Sequence, residues 1–403
     1  MDRQALFAPS LDTVIDRLRG DEPLVVMMDD TLIRKRGRKV HGTGWKRDPL
    51  GPHFCTNFVW GQRFLQMSAA LPDRSCDGRA RAIPIDFIHA PSPSKPRKKA
   101  PEEEWQKYRA LQEQMKVSIL AADKLRNLRA QVDGKHIICS VDGGFTNRTV
   151  FRNVPENTTL IGRIRKDAKL FAIPDDESGP RRGRRTFYGK AMPTPETMRQ
   201  DESIPWQKVE AYAAGKRHNF EVKLMPSVRW QGTGERTVQV VIVRPLAYRP
   251  RKGAHLLYRN PVYLLCTDAN LNVSQLMQAY LWRWEIELNF KEEKTAIGAG
   301  EAEVRTKKSV EDAPALVVAA YAYMLLAGTD SRVDQKSLPR PKWQKRMENE
   351  RVSSQQIRNT FRAQLWNIAV SENKTGFVTL SRNSQSLFYS DKALNSAVCY
   401  AIR

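Results

Sequence analysis

The sequence is poor in the residues that build disulfide frameworks and zinc sites. Only five of its 403 residues are cysteines, which is an odd number, and no two of them form a Cys-x-x-Cys pair. The six histidines show neither His-x-x-x-His nor His-Glu-x-x-His spacing. These absences argue against a disulfide-bonded scaffold and a zinc ribbon, and they fit a reducing compartment.

Long apolar runs are also missing. The most apolar stretch, residues 313–328, has 16 residues, whereas a helix needs about 20 to span a bilayer. The N-terminus carries charges throughout and lacks the apolar segment of a signal peptide. We therefore expect a core helix at 313–328 and a soluble cytoplasmic protein, associated with the nucleoid and without a membrane partner.

Acidic residues are scarce relative to basic ones. The chain has 44 Asp and Glu against 67 Lys and Arg, a net charge of +23. An excess of this size suggests a polyanionic partner, most commonly nucleic acid. The alternative is an evenly basic surface, but three concentrated runs at 34–39, 95–99 and 181–185 argue against it.

The apolar runs that are present predict a mixed sheet covered by helices. Residues 23–30 and 135–144 read as buried strands that end in acids, and 158–164 as a third strand. Residues 53–71 read as a hairpin that turns at Gly61-Gln62, and the proline-rich segment 72–101 as an extended connection. The remaining elements expected in this half are a long amphipathic helix at 102–130 and a basic loop at 34–47.

The second half of the chain changes character. Residues 165–262 alternate polar and apolar residues between Pro, Gly and Arg, which predicts a β-rich insertion. A helix at 274–294 and the apolar helix follow, and the tail is mostly helical. The predicted division is a core in two parts, at 1–164 and 263–330, with an insertion domain at 165–262 and a C-terminal region at 331–403.

Acids follow two of the predicted strands and recur on the late helix. Asp29 and Asp30 end the first strand, Asp142 ends the second, and Glu285 and Glu287 lie on the helix. Clustered carboxylates repel one another, and hard divalent cations are the usual compensation. Two such ions roughly 4 Å apart suit displacement at phosphorus. Each acid alone is equally explained as a turn residue or helix cap.

One stripe of the late helix carries an ordered set of side chains. On an ideal helix Tyr280, Arg283, Glu287 and Lys294 fall within an arc of about 60°. The adjoining stripe is apolar and is predicted to pack on the sheet; it contains Leu281, Trp284 and Leu288. A Glu287–Lys291 salt bridge would explain Glu287 equally well, but it would not explain the tyrosine and arginine.

The spacing Y-x2-R-x3-E-x6-K of these four residues resembles the Y-R-E-K signature of insertion-sequence DDE transposases. The resemblance covers roughly residues 20–330. It implies an α/β fold with a ribonuclease-H-like mixed sheet flanked by helices, interrupted by the β-rich insertion domain and followed by a mostly helical C-terminal region.

The resemblance also implies roles for individual residues. Asp30, Asp142 and Glu287 are expected to be catalytic and to hold Mg²⁺ or Mn²⁺, as two ions, with Asp29 left open as the first ligand. Tyr280, Arg283 and Lys294 are expected to contact DNA phosphates. In relatives an insertion-domain tryptophan stacks on a flipped base, which makes candidates of Trp206 and Trp230, although either could belong to the core.

The implied partner is double-stranded DNA, both transposon ends and target, bound by a homodimer in a synaptic complex. Relatives carry a DNA-binding domain ahead of the first Asp, but here only 29 residues precede Asp30. End recognition is therefore expected from the insertion, the C-terminal region, an accessory DNA-binding protein or the basic loop. The loop residues are Arg34, Lys35, Arg36, Arg38 and Lys39.

Two other functions fit the same residues. A ribonuclease-H-like nuclease would cut DNA without strand transfer, and a domesticated, non-catalytic derivative would bind DNA and use its acids structurally. The Y-R-E-K spacing favours the transposase.

Overall fold

A computed structural model describes residues 2–48, 51, 54–174, 187–251, 253–330 and 351–372. The basic run at 181–185 lies outside this part, as does most of the predicted C-terminal region. The first half of the chain contains four strands joined by antiparallel pairings, a helical crossover and two further strands. In chain order these elements are α1 (Arg3–Asp16), β1 (Leu24–Arg34), β2 (Gly44–Arg47), β3 (Phe58–Pro72), β4 (Ala80–Ala90), α2 (Glu102–Gln114), α3 (Val117–Gln131), β5 (Ile137–Val141), α4 (Arg148–Arg152) and β6 (Thr158–Arg163).

The second half contains mostly antiparallel strands and then helices. These elements are β7 (Leu170–Phe171), β8 (Ala191–Met192), α5 (Pro195–Gln200), β9 (Gln207–Ala213), β10 (Lys216–Trp230), a 3₁₀ turn (Gln231–Thr233), β11 (Thr237–Val243), β12 (Ala247–Tyr248), β13 (Leu257–Tyr258), β14 (Val262–Cys266), α6 (Val273–Trp282), α7 (Trp284–Glu292), a π-helical turn (Glu293–Ile297), α8 (Lys307–Asp330) and α9 (Ser354–Glu372).

One sheet runs through the described chain in the order β2-β3-β1-β5-β6-β14-β11-β10-β7-β8, with β4 also on β3 and β9 also on β10. β1 pairs antiparallel with β3 and parallel with β5, and β5 pairs parallel with β6. The mixed α/β sheet flanked by helices that the sequence predicted is thereby confirmed. The long strands of residues 165–262 continue this sheet through β14, and only β12 and β13 pair apart from it.

The predicted hairpin at Gly61-Gln62 is wrong, because β3 runs straight through it. Gly61 lies opposite Arg34 of β1, where an added Cβ would sit 2.5 Å from the carbonyl oxygen of Ile33. A glycine inside a strand often marks such a close backbone approach. The chain turns later, where Asp73 Oδ1 accepts a hydrogen bond from the Ser75 amide and Gly78 has φ +82°.

β4 occupies the segment that was predicted to be an extended connection. Its Pro84 lies where the β3–β4 register shifts, opposite Ser68. Proline is tolerated in a strand at such a bulge because no ladder hydrogen bond is lost there. The proline content of 72–101 therefore concealed a buried strand.

The two faces of the sheet carry separate parts of the core. Val26 and Met28 of β1 belong to the cluster that includes Leu125 of α3. Val25 and Met27 belong to the cluster that includes residues of α6 and α7. Because side chains alternate along a strand, these two clusters show to which face of the sheet each later side chain of β1 points.

The predicted continuous helix 274–294 breaks at Arg283 into α6 and α7. The face of α7 that packs on the sheet carries Ile286 and Phe290, which are buried, while Trp284 is 60% exposed. The predicted apolar stripe through Trp284 is therefore wrong, because the side of the helix that packs on the sheet is the one that carries Ala279, Ile286 and Phe290.

α8 is long and apolar enough to cross a membrane by length and composition alone, and half of its most apolar window is buried inside the fold. Val318, Tyr321 and Leu325 are buried in clusters shared with α1 and the sheet. The prediction of a core helix at 313–328 is confirmed.

Candidate active site

Two acids lie next to each other where β1 and β5 run side by side. The strands are parallel, with Met28 opposite Val141, so the next residues are Asp29 and Asp142. Ser140 points toward α6, because its hydroxyl donates a hydrogen bond to the Ala279 carbonyl. Met27 lies on the same face of the sheet. Side chains alternate along a strand, so Asp29 and Asp142, each two residues further on, point to that face as well. Asp29 and Asp142 thus share the sheet face that α6 and α7 cover.

The proximity of the two carboxylates shows in their electrostatics. Burial and, after it, the neighbouring Asp142 raise the pKa of Asp29 to about 7, against the opposing effect of Arg283. Asp142 Oδ1 also accepts hydrogen bonds from the Gly144 and Phe145 amides, at 2.8 and 3.2 Å. Asp142 therefore organises its turn and also presents a carboxylate to Asp29.

Asp30 points to the opposite face of the sheet. Its Oδ2 lies 3.1 Å from Arg63 Nε. Burial raises the pKa of Asp30, Arg63 lowers it, and the charge of Asp142 raises it, as it does for Asp29. The choice of Asp30 as first ligand is therefore not the one that the strand geometry favours. Asp29, left open from the sequence, is the residue on the face of Asp142. Which of two adjacent acids faces the site depends on strand alternation, and the sequence alone did not fix it.

Arg283 forms ion pairs with both Asp29 and Glu287. Its Nη1 donates to Asp29 Oδ2 at 3.0 Å and its Nη2 to Glu287 Oε1 at 3.2 Å. The side chain is only 13% exposed, and its guanidinium lies 5.8 Å from the centre of the Tyr280 ring. The structure thus brings together Tyr280, Arg283, Glu287 and Asp29, and it pairs Glu287 with Arg283 rather than with Lys291.

Lys294 lies further along, in the π-helical turn. Its Nζ is 6.0 Å from the centre of the Phe290 ring, and burial lowers its pKa while Glu293 raises it. The predicted stripe from Tyr280 reaches Lys294 through a helix whose turn widens at Glu293.

The donor set of the three acids suits a hard divalent cation. Carboxylate oxygens are the ligands that Mg²⁺ and Mn²⁺ prefer. Burial and the charge of Asp142 raise the pKa of Asp29, and Arg283 opposes them only in part. Within the described residues no three Asp, Glu, His or Cys side chains converge tightly enough to hold one ion. The guanidinium of Arg283 lies between Asp29 and Glu287, in the position where a shared cation would compete with it.

A basic cleft of about 1090 Å³ opens beside the Asp142 turn. Gly143 and Thr146 line it, together with Arg163, the last residue of β6, and Lys166 from the segment after it. Arg163 and Lys166 are exposed, so their charges are available to a phosphate. The sequence analysis missed these two residues, although the run GRIRK directly after a predicted strand was a visible signal.

The two candidate tryptophans differ in their surroundings. Trp230 lines this cleft, with its ring edge-on to Phe151 at 5.8 Å. Trp206 lies beneath two cations, Lys223 Nζ at 4.6 Å and the Arg244 guanidinium at 5.5 Å. Only Trp230 borders the space beside Asp142.

The basic loop divides into anchored and exposed residues. Arg34 pairs with Asp48 at 2.9 Å, and Lys35 Nζ donates to the Gly300 carbonyl at 2.7 Å. Arg36, Arg38 and Lys39 are exposed. Arg34 and Lys35 therefore hold the loop in place, and the other three residues are free to face a partner.

Acids at the point where the parallel pairing of β1 and β5 ends, an acid-bearing helix across them and a basic cleft alongside define a nucleic-acid-cleaving enzyme with a ribonuclease-H-like sheet. Comparison with protein families matches residues 8–219, more than half of the chain, to the DDE superfamily endonucleases. The chain belongs to this family, whose members act on DNA and typically use divalent metal ions. The match contains Asp29 and Asp142 and ends before α6. A search of curated proteins found no match.

Proposed function

We propose that the protein is a DNA transposase that cleaves DNA strands at transposon ends and joins them to target DNA. The observation that carries this proposal is that Asp29 lies beside Asp142 on neighbouring strands and shares Arg283 with Glu287. The Y-x2-R-x3-E-x6-K spacing of α6, α7 and the following turn supports a transposase over a general nuclease.

Asp29, Asp142 and Glu287 would hold Mg²⁺ or Mn²⁺, as two ions. Bound there, the ions would activate the attacking water or 3′-hydroxyl and stabilise the leaving oxygen. Asp30, first assigned as the initial ligand, is in this proposal a residue of the opposite face that orients Arg63. The acids need no proton to act as ligands, so they work in their ionised form.

Arg283 has two roles in this proposal. Without metal it neutralises Asp29 and Glu287, which would otherwise repel each other. When cations replace it, its guanidinium is free to bind a phosphate oxygen in two-point fashion. Tyr280 supports the guanidinium from its ring face, and Lys294 contributes positive charge further along the DNA.

The DNA strand that leaves the carboxylates would pass through the basic cleft. Arg163 and Lys166 would neutralise its phosphates, and Trp230 is placed to contact a base. Trp206 is a weaker candidate because cations cover its ring. We further propose a homodimer that holds two ends, an accessory DNA-binding protein where end recognition requires one, the four-part domain division at 164, 262 and 330, and a cytoplasmic, nucleoid-associated location.

The test is cleavage, in Mg²⁺ or Mn²⁺, of DNA taken from both sides of the gene, where the proposal expects inverted repeats. The wild type should nick at the repeat ends and yield products joined to a target plasmid. Asp142→Asn should abolish both reactions and leave DNA binding intact or tighter, because a negative charge is removed. Asp123→Asn, an exposed acid of α3 paired with Arg126, is the matched control and should remain active.

Each other outcome assigns a different function. Cleavage without joined products would identify a nuclease without strand transfer. Binding without cleavage in either metal would identify a non-catalytic DNA-binding protein. Unchanged nicking by Asp142→Asn would remove Asp142 from the mechanism.

A further inference from the structure

A second groove, of about 1570 Å³, lies between the β1–β2 segment and α2. We call it the tryptophan groove, and define it by its lining segments 38–46, 90–95 and 108–117 with Trp60, Arg63, Arg305 and Lys307. Arg63 connects this groove to Asp30, on the sheet face opposite Asp29. Within the described residues the groove shares no lining residue with the cleft beside Asp142, and its lining does not include Asp29, Arg283 or Glu287.

The charge of the tryptophan groove is strongly positive. Arg38, Lys39, Arg305 and Lys307 line it and are exposed, and none of them has an ion pair within the described part of the chain. The acid that lines it, Glu113, is already paired with Lys116. A concentration of unpaired cations in a concave surface attracts a polyanion and focuses the field on it.

An exposed tryptophan side chain lies among these basic residues. Trp45 is 63% exposed and rests edge-on against Trp60, with ring centres 5.5 Å apart. Trp60 is itself fixed, because its Nε1 donates to the Gly37 carbonyl at 3.2 Å. Trp45 is thus held by a rigid neighbour while much of its surface stays uncovered.

We propose that the tryptophan groove is a second DNA-binding site that takes a DNA end with unpaired bases. Its cations neutralise the backbone, and Trp45 stacks on an exposed base, the combination by which proteins bind single strands. The inference rests on the proposed function only in taking DNA as the ligand. According to this proposal, the tryptophan groove binds DNA whether or not the carboxylate site cleaves it.

The test measures DNA affinity by fluorescence anisotropy in EDTA, where no cleavage occurs. The probes are a blunt duplex and the same duplex with a single-stranded 3′ overhang. Lys39→Ala combined with Arg305→Ala should weaken binding of both probes about tenfold at 0.1 M salt. The slope of log K against log salt should become shallower by roughly 1.5 to 2, since two phosphate contacts are lost.

Trp45→Ala should remove the preference for the overhang, about tenfold, and leave affinity for the blunt duplex nearly unchanged. Trp45→Phe should restore most of the preference, because a phenyl ring also stacks. The control is Lys208→Ala with Lys216→Ala, two exposed lysines of β9 and β10 toward the far end of the sheet. Groove variants that bind like this control would overturn the proposal.

Failure of the groove and failure of the proposed function give different results. A wild type that binds neither probe and cleaves nothing contradicts the transposase itself. A wild type that binds and cleaves, with groove variants equal to the control, contradicts only the groove. Asp29→Asn should keep the overhang preference, because Asp29 lies on the other face.

Discussion

The adjacent acids Asp29 and Asp30 offer a matched pair of substitutions with opposite expected results. Asp29 lies beside Asp142 and bonds Arg283, whereas Asp30 bonds Arg63 on the other face. Loss of a residue that only orients a metal ligand typically costs 10- to 100-fold. Loss of a ligand should cost more, so Asp29→Asn should lower Mg²⁺-dependent nicking at least ~10³-fold, or about 4 kcal/mol in barrier.

Asp30→Asn should have a much smaller effect. The Asp30 and Arg63 side chains are 26% and 30% exposed, and a partly exposed ion pair is worth at most about 1 kcal/mol. That value corresponds to a change of about fivefold or less. Single-turnover nicking of end-labelled DNA under saturating enzyme measures both variants on one scale.

Stability measurements separate chemistry from folding in this pair. The pKa of Asp29 is raised from 3.8 to about 7, so its charged form destabilises the fold increasingly as pH rises toward 7. In EDTA at pH 8, Asp29→Asn should therefore be at least as stable as the wild type in urea. Equal losses of activity in the two variants, or a larger loss in Asp30→Asn, would refute the assignment of faces.

Three further predictions concern the surroundings of the site. Arg283→Gln should lower the free energy of unfolding in EDTA by about 2 kcal/mol, and Mg²⁺ should reduce this deficit in urea titrations; a deficit unaffected by Mg²⁺ would contradict the proposed exchange of guanidinium for metal. Burial raises the pKa of Glu293 from 4.5 to about 8. Between these pH values Glu293 keeps its proton in the folded protein and loses it in the unfolded chain. The free energy of unfolding should therefore fall by up to about 1.4 kcal/mol for each unit that the pH rises from 4.5 to 8. Glu293→Gln should remove that dependence and gain more stability at pH 8 than at pH 5, whereas an equal gain at both would count against the raised pKa. Gly61→Ala should cost roughly 2 kcal/mol or more, because its Cβ would meet a carbonyl oxygen of β1 at 2.5 Å; Gly20→Ala, with nothing within 4 Å, should stay near the wild type in thermal melts.

The order of the core elements was readable from the sequence where burial dominates. The strands at Leu24–Arg34, Ile137–Val141 and Thr158–Arg163 are apolar runs bounded by charge or glycine, and such runs signal strands buried on both faces. The hairpin and connection failed at Gly61 and Pro84, because both residues are turn signals in isolation. Only the neighbouring strand shows that Gly61 permits a close approach and that Pro84 sits at a bulge.

The site was predicted in its composition but not in its geometry. The spacing of Tyr280, Arg283 and Glu287 was visible in the sequence, and the structure places all three at Asp29. The break between α6 and α7 at Arg283 was not visible in the sequence, because no proline or glycine lies there. Glu293 looked like one more helix acid, yet the widened turn buries it against Gln66, whose Nε2 donates to it at 3.0 Å.

The central claim is that Asp29, Asp142 and Glu287 hold divalent ions on one face of the sheet. Anomalous diffraction at the manganese edge, from crystals of the protein with Mn²⁺ and a cleavage-resistant DNA end, tests it most directly. We expect peaks bounded by Asp29 and Asp142, with Arg283 withdrawn from Asp29 and turned toward a phosphate. A peak at Asp30 on the opposite face, or none between Asp29 and Asp142 in crystals whose protein cleaves DNA in solution, would contradict it.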